Sequence, residues 1–303
     1  MAGVEVFNKV QPNVVIGIGG GSAIDTGKAV RFFGEKLNKY TIDLFVAVPT
    51  TSGTGSEVTQ HSVLTDTEHH KKAPIMEDSI IPDVALLDPQ LVMTAPKSVS
   101  AFSGLDVLTH SLESLVAQDS NTITDALAEK AASVILHNLV ECYRHGDNEE
   151  ARKVVHEASC AAGMAFANAG LGIAHSIAHQ LGANFHVPHG LACAMMLPHV
   201  VLYNASKSEF ALHKYAEAFK KSGLVSNSMS DRIAVKRLAA QIQHMMVEMD
   251  SPQTLKSFGV DPAEAEKMCD VVVDGAKKDG TFPGNPVVPS DEDLAALYKQ
   301  VIK

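Results

Sequence analysis

Hydrophobic positions follow two different rules along this chain, and the change falls near Thr94. Over residues 1–95, short apolar runs alternate with turn chemistry. NVVIGI (residues 13–18) stops at glycines, LFVAVPT (44–50) runs into a hydroxyl-rich stretch, and DVALLD (83–88) stops before a proline. Runs of this length, rich in β-branched residues, predict buried strands, and SAIDTGKAVRFF between the first two has helical spacing. Strands alternating with helices predict a parallel sheet with crossovers. HSVLTDTEHHKKAPIM (61–76) fits a hairpin excursion. Beyond Thr94 the apolar residues recur at i, i+3, i+4 and i+7, in segments rich in Ala, Leu, Met, Glu and Lys. SAFSGLDVLTHSLESLVAQ (100–118), ITDALAEKAASVILHNLVECYRH (123–145), EEARKVVHEASCAAGMAFANA (149–169) and VKRLAAQIQHMMVEM (235–249) are the longest, and no strand pattern follows. The pattern predicts an α/β nucleotide-type domain over 1–95, an all-helical domain over 96–303, and a cleft between them.

Composition narrows the function classes. A net charge of −10 with a pI near 5.7 argues against nucleic acid or an anionic membrane as partner. No run reaches the ~18 apolar residues of a membrane span, and the first residues lack the order of a signal peptide. Cys142, Cys160, Cys193 and Cys269 are scattered, with no C-x-x-C pair, which fits reduced thiols in a cytosol.

Two loops stand where phosphate chemistry belongs. GIGGGSAIDTGKA (17–29) turns a strand into a helix, whose positive end points back at the loop. It is neither familiar glycine motif. A P-loop needs glycine where Ser22 stands and a hydroxyl where Ala29 stands; a dinucleotide fingerprint from Gly17 also meets Ser22 in place of its third glycine. A plain strand-to-helix turn remains an alternative, with Asp25 and Lys28 an i, i+3 surface pair. The second loop, VPTTSGTGSEVT (48–59), places hydroxyls around two glycines after the next strand, and that sheet edge is where α/β folds bind ligands.

The helical half carries the remaining chemistry. Asp106 and His110 are spaced i, i+4, as are His175 and His179, so each pair shares a helix face. His189, between Pro188 and Gly190, marks a helix start. A carboxylate with imidazoles suits Fe²⁺, Zn²⁺, Mn²⁺ or Co²⁺. His137, His156, His199, His213 and His244 read as core or surface residues; His61, His69, His70 and His145 read as solvated.

Taken in order, GGGSxxDxxK (Gly19–Lys28), PTTSGTGSEVT (Pro49–Thr59), GLDxxTH (Gly104–His110) and GxxHSxAHxLG…PHG (Gly172–Gly190) resemble the iron-containing, or group III, alcohol dehydrogenases. The similarity is strongest to the lactaldehyde, propanol and ethanol dehydrogenase branch, and it covers nearly the whole chain. It implies a partial Rossmann-like cofactor domain followed by a helical, dehydroquinate synthase-like metal domain. The implied metal is Fe²⁺, or alternatively Zn²⁺, held by Asp106, His110, His175 and His189. The implied cofactor is NAD(H), with NADP(H) open, in a cleft lined by Gly19, Gly20, Gly21, Ser22, Asp25, Thr50, Thr51, Thr54 and Thr59, with Lys72 also in contact. His179 corresponds to a proton-relaying histidine near the nicotinamide and Phe166 to an aromatic bordering the substrate; His186 receives no role. The implied reaction interconverts a short primary alcohol or diol and its aldehyde. The implied state is a cytoplasmic homodimer or larger homo-oligomer, related enzymes also working in bacterial microcompartments.

Two departures qualify the resemblance. The family has a longer stretch before its GGGS motif; eighteen residues precede Gly19 here, and a βαβ unit takes about 30. The expectation is a truncated nucleotide domain with an uncovered edge and exposed apolar surface. Val287 also stands where relatives often carry arginine after Asn-Pro. The alternatives are therefore a catalytically impaired metal-binding homologue, or a same-fold zinc enzyme of the glycerol dehydrogenase type.

Overall fold

In the computed structural model, which describes residues 2–38, 40–66 and 71–303, the expected strands form a three-stranded parallel sheet. β1 (Val14–Gly19) lies at one edge, β2 (Leu44–Pro49) in the centre and β5 (Val84–Ala85) beyond it. Ile16 stands opposite Val46, and Val46 opposite Val84. β5 is far shorter than its apolar run, because Asp88 caps a 3₁₀ turn over Pro89–Val92 and takes the chain away from the sheet. β3 (His61–Asp66) and β4 (Lys71–Met76) form the expected antiparallel hairpin, with Thr65 paired to Lys72. His69 and His70 lie outside the described residues, as does the side chain of Lys72.

Two helices accompany the sheet. α1 (Ala2–Val10), which the strand-and-turn reading did not anticipate, packs on α2 (Gly21–Asn38) by seating Phe7 against Gly34. Phe7, Ile42 and Phe45 form a small core. β1 alternates in burial: Gly17 faces α2, while Val14, Ile16 and Ile18 are 44, 59 and 62% exposed. Parallel sheets normally cover both faces; here these side chains of β1 are open to solvent.

The helical half is larger and better filled. α3 (Lys97–Val116), α4 (Thr122–Arg144), α5 (Glu149–Ala169), α6 (Ile173–Phe185) and α7 (His189–Lys207) surround the functional residues. α8 (Glu209–Lys221), α9 (Asp231–Glu248), α10 (Leu255–Phe258), α11 (Pro262–Lys267), α12 (Cys269–Lys277) and α13 (Asp291–Gln300) complete the bundle. One continuous core runs from Ala101 to Ile302 and draws nothing from the first hundred residues. From Gly104 to Val116 every residue of α3 is buried, which requires neighbours on all sides. No single described helix is long and apolar enough to cross a membrane; α5 and α6 pass that test only as a pair bent by 106°.

Candidate metal and cofactor site

Both glycine- and hydroxyl-rich loops emerge from the C-terminal ends of parallel strands. Gly19 closes β1 at φ 146°, where a side chain would also strike Ala23, and its carbonyl accepts from the Thr50 N–H at 2.9 Å. The loops touch: a Cβ on Gly21 would lie 2.6 Å from Thr54, and one on Gly20 3.4 Å from Thr51. The N–H groups of Ala23 and Ile24 return to the Gly20 carbonyl, which leaves those of Gly21 and Ser22 at the start of α2 for a ligand. Ser22 and Thr54 are exposed, and Thr50 and Thr51 half-buried, around this opening.

Several sequence readings meet a different setting in the structure. Thr59 is buried rather than open at the loop. Lys28 is no surface residue: it is fully buried and donates to the Thr59 carbonyl at 2.7 Å, the Thr59 hydroxyl at 3.2 Å and the His61 carbonyl at 2.7 Å. Asp25 spends both carboxylate oxygens on scaffold, accepting from the Ser56 hydroxyl at 2.6 Å and the Val63 N–H at 3.0 Å. Together they bolt α2 to the loop and hairpin. His61 is accordingly half-buried rather than solvated, and burial pushes its imidazole pKa down. Burial likewise lowers the Lys28 pKa to about 8, against the opposing pull of Asp25 and Glu57.

Behind the loops three helices converge. The i, i+4 spacing in α3 turns Asp106 and His110 to one side; α6 delivers His175 and His179, and α7 begins at His189. Gly190 makes the approach possible, because a Cβ there would stand 2.0 Å from the Phe102 carbonyl oxygen and 3.1 Å from the Asp106 Cβ. The Nε2 atoms of His175 and His189 each lie 3.6 Å from Asp106 Oδ1, and that of His110 lies 3.8 Å away. Among the described residues, Asp106 Oδ1 and His175 Nε2 are buried with no hydrogen-bond partner. Buried polar atoms without partners are costly, and a small cation between these donors removes that cost. The residues therefore fit a divalent metal. Burial alone would raise the Asp106 pKa, but the surrounding imidazoles hold it far below the usual carboxylate range. Burial lowers His110 to about 4 and His189 to about 3, so both rings are neutral at neutral pH and offer lone pairs.

Around the cluster lie residues the sequence did not single out. Glu113, two turns along α3 from Asp106, accepts from the Ala174 N–H at 2.7 Å and contacts His175 Nδ1 at 2.6 Å, which fixes the His175 ring with Nε2 toward Asp106. Asp279 contacts His179 Nδ1 at 2.7 Å and is itself held by the N–H and hydroxyl of Thr281. Asn285 joins Asn204 and the start of α6 rather than the cluster. Cys193 Sγ lies 3.9 Å from His189 Nε2, and its i, i+4 relation to His189 was the available signal. Phe166 stacks on His110 with ring centroids 4.4 Å apart and also abuts Gly55, so it stands between cluster and loop. His179 stacks on His189 at 5.2 Å and is only half-buried. His186 caps α6 in the left-handed conformation at φ 56°, a structural task. His156 is buried, as read, and its Nδ1 meets the Ser52 hydroxyl at 3.0 Å, tying α5 to the loop.

Strand-end loops suited to phosphate, beside a carboxylate–imidazole cluster suited to a divalent metal, are the arrangement of a metal- and nucleotide-dependent enzyme. Comparison with known proteins gives the family. The profile described as iron-containing alcohol dehydrogenase matches residues 1–89, and that of the C-terminal part of the same family matches residues 100–302. The chain belongs to the iron-containing alcohol dehydrogenases. A 1-propanol dehydrogenase of Citrobacter freundii is 39% identical over 300 residues, spanning 99% of this chain and 80% of that protein. The crystal structure of a 1,3-propanediol oxidoreductase superposes with a TM-score of 0.90 at 34% identity, covering 99% of this chain and 80% of the other. A sulfoacetaldehyde reductase from Bifidobacterium kashiwanohense, solved in complex with NAD⁺, superposes with a TM-score of 0.88 at 28% identity over 99% and 79% of the two chains.

Proposed function

We propose that this chain interconverts a short primary alcohol or diol and its aldehyde, using iron and NAD(H). The observation that carries the reading is the convergence of three imidazoles on the unpartnered carboxylate oxygen of Asp106, beside the strand-end loops. Asp106, His110, His175 and His189 would hold the iron, with Glu113 fixing the His175 ring. The N–H groups of Gly21 and Ser22 would take a phosphate of the dinucleotide, and the hydroxyls of Thr50, Thr51 and Thr54 would line its path. When bound, the metal supplies polarisation of the substrate oxygen and the dinucleotide supplies the hydride acceptor or donor.

The chain's own residues do the rest. Phe166, stacked on His110, walls the substrate side and favours a small carbon chain. His179 bridges the cluster and solvent: with Nδ1 engaged by Asp279, its Nε2 is free to carry the alcohol proton outward. In this reading residues 1–95 serve the dinucleotide and 96–303 the metal. The exposed apolar face of β1 supports assembly into a homodimer or larger oligomer, and the scattered reduced cysteines support a cytoplasmic setting. NADH oxidation by anaerobically prepared, Fe²⁺-loaded protein, offered a panel of short aldehydes, tests the assignment. Metal-dependent turnover that disappears in His175→Ala is the expected result. Stoichiometric iron without turnover on any aldehyde would overturn it.

A further inference from the structure

We propose that Cys193 is an additional donor to the metal, so that the site of this chain offers a sulfur ligand beside its carboxylate and imidazoles. The proposal rests on the reading of the Asp106 cluster as a metal site. Cys193 follows His189 by one turn of α7, so both side chains leave the same helix face. One ligand atom from each of Asp106, His175, His189 and Cys193 fits in a group whose members all lie within 4.8 Å of one another. Two metal bonds of ~2.0–2.3 Å span at most about 4.6 Å between donors. The 3.6 Å separations of both imidazoles from Asp106 and the 3.9 Å separation of sulfur from His189 fall inside that reach.

An independent observation points to the same space: Asp106 Oδ1 and His175 Nε2 are buried and unpartnered among the described residues. Cys193 is fully buried, so neither solvent nor a redox partner competes for its sulfur. Cys142 and Cys160 are also buried, but among the described residues neither belongs to a group of converging ligand atoms. Coordination replaces the S–H bond by a metal–sulfur bond and releases the proton to solvent. A sulfur donor shifts the site toward Zn²⁺ and Co²⁺ and away from purely oxygen-seeking cations.

Cobalt reports the ligand directly. Metal-free protein is titrated anaerobically with Co²⁺ while its absorption is recorded. The expected result is a near-ultraviolet sulfur-to-cobalt charge-transfer band that saturates with the visible ligand-field bands at one ion per chain. Cys193→Ser should remove the charge-transfer band, keep the ligand-field bands and weaken Co²⁺ binding on the order of 10-fold; Cys142→Ser should change nothing. X-ray absorption of the unsubstituted Zn²⁺ form provides a check free of any substitution, with sulfur expected at ~2.3 Å. Ligand-field bands without charge transfer, or a zinc shell of nitrogen and oxygen alone, would overturn the sulfur donor and leave the Asp106 cluster standing as a metal site. No bound Co²⁺ would overturn both.

Discussion

At the scale of single residues, the site depends on groups that never touch a substrate. Glu113 holds His175 by its Nδ1 and the first turn of α6 by the Ala174 N–H, so one carboxylate sets both a ring and the helix that carries it. Glu113→Gln should lower metal affinity by about 10- to 100-fold, the usual cost of losing a ligand's supporting carboxylate, as measured by competition with a chelator. Asp279 plays the corresponding part for His179, which is not among the proposed metal ligands. Asp279→Asn should therefore reduce kcat, on the order of 10²-fold, while metal content and the KM for NADH stay near their original values; loss of metal in that variant would count against the relay. These residues also show what the sequence displays and what it hides. Asp106 with His110, and His175 with His179, announce themselves through helical spacing within a few positions. Glu113 and Asp279 meet their histidines across 62 and 100 residues of chain, and no periodicity connects them. The scaffold partners of Asp25 and Thr59 are hidden for the same reason, since Ser56 and Val63 meet Asp25, and Lys28 meets Thr59, across more than thirty positions.

At the scale of elements, the glycine-rich turn is held from behind by a buried cation. Lys28 reaches from α2 to the carbonyls of Thr59 and His61, so the loop and hairpin are fastened to the helix whose start would take phosphate. Burial lowers its pKa from 10.5 to about 8 in the folded chain. Between those values the unfolded chain binds the proton and the folded chain has lost it, so stability rises with pH through that window, and the penalty is fully present below pH 8. Chemical denaturation of the original chain and of Lys28→Met, each from pH 7.5 to 10.5, should show a rise in the first that is flattened in the second. Strands β1 and β2, the hairpin and helices α2, α3, α4, α5 and α9 were all legible from periodicity. The brevity of β5 was not, because a capped 3₁₀ turn ended it against its own apolar pattern, and α1 was missed because nine residues carry too little periodic signal.

At the scale of the whole molecule, the two halves differ in how well they hide their apolar surface. The sheet leaves Val14, Ile16 and Ile18 open along an edge strand, a surface that in water favours association. Sedimentation should give a mass above the 32.2 kDa of one chain, and replacing Ile16 and Ile18 together by lysine should return it toward that value with the metal retained. The contrast in packing has a further consequence. Three buried residues centre the core around the sheet, whereas the helical core runs unbroken from Ala101 to Ile302. Cooperative units of such unequal size open at different free energies. Partial openings that release the cofactor loops can thus leave the helical half closed around its metal, and the enzyme would shed nucleotide long before it shed iron.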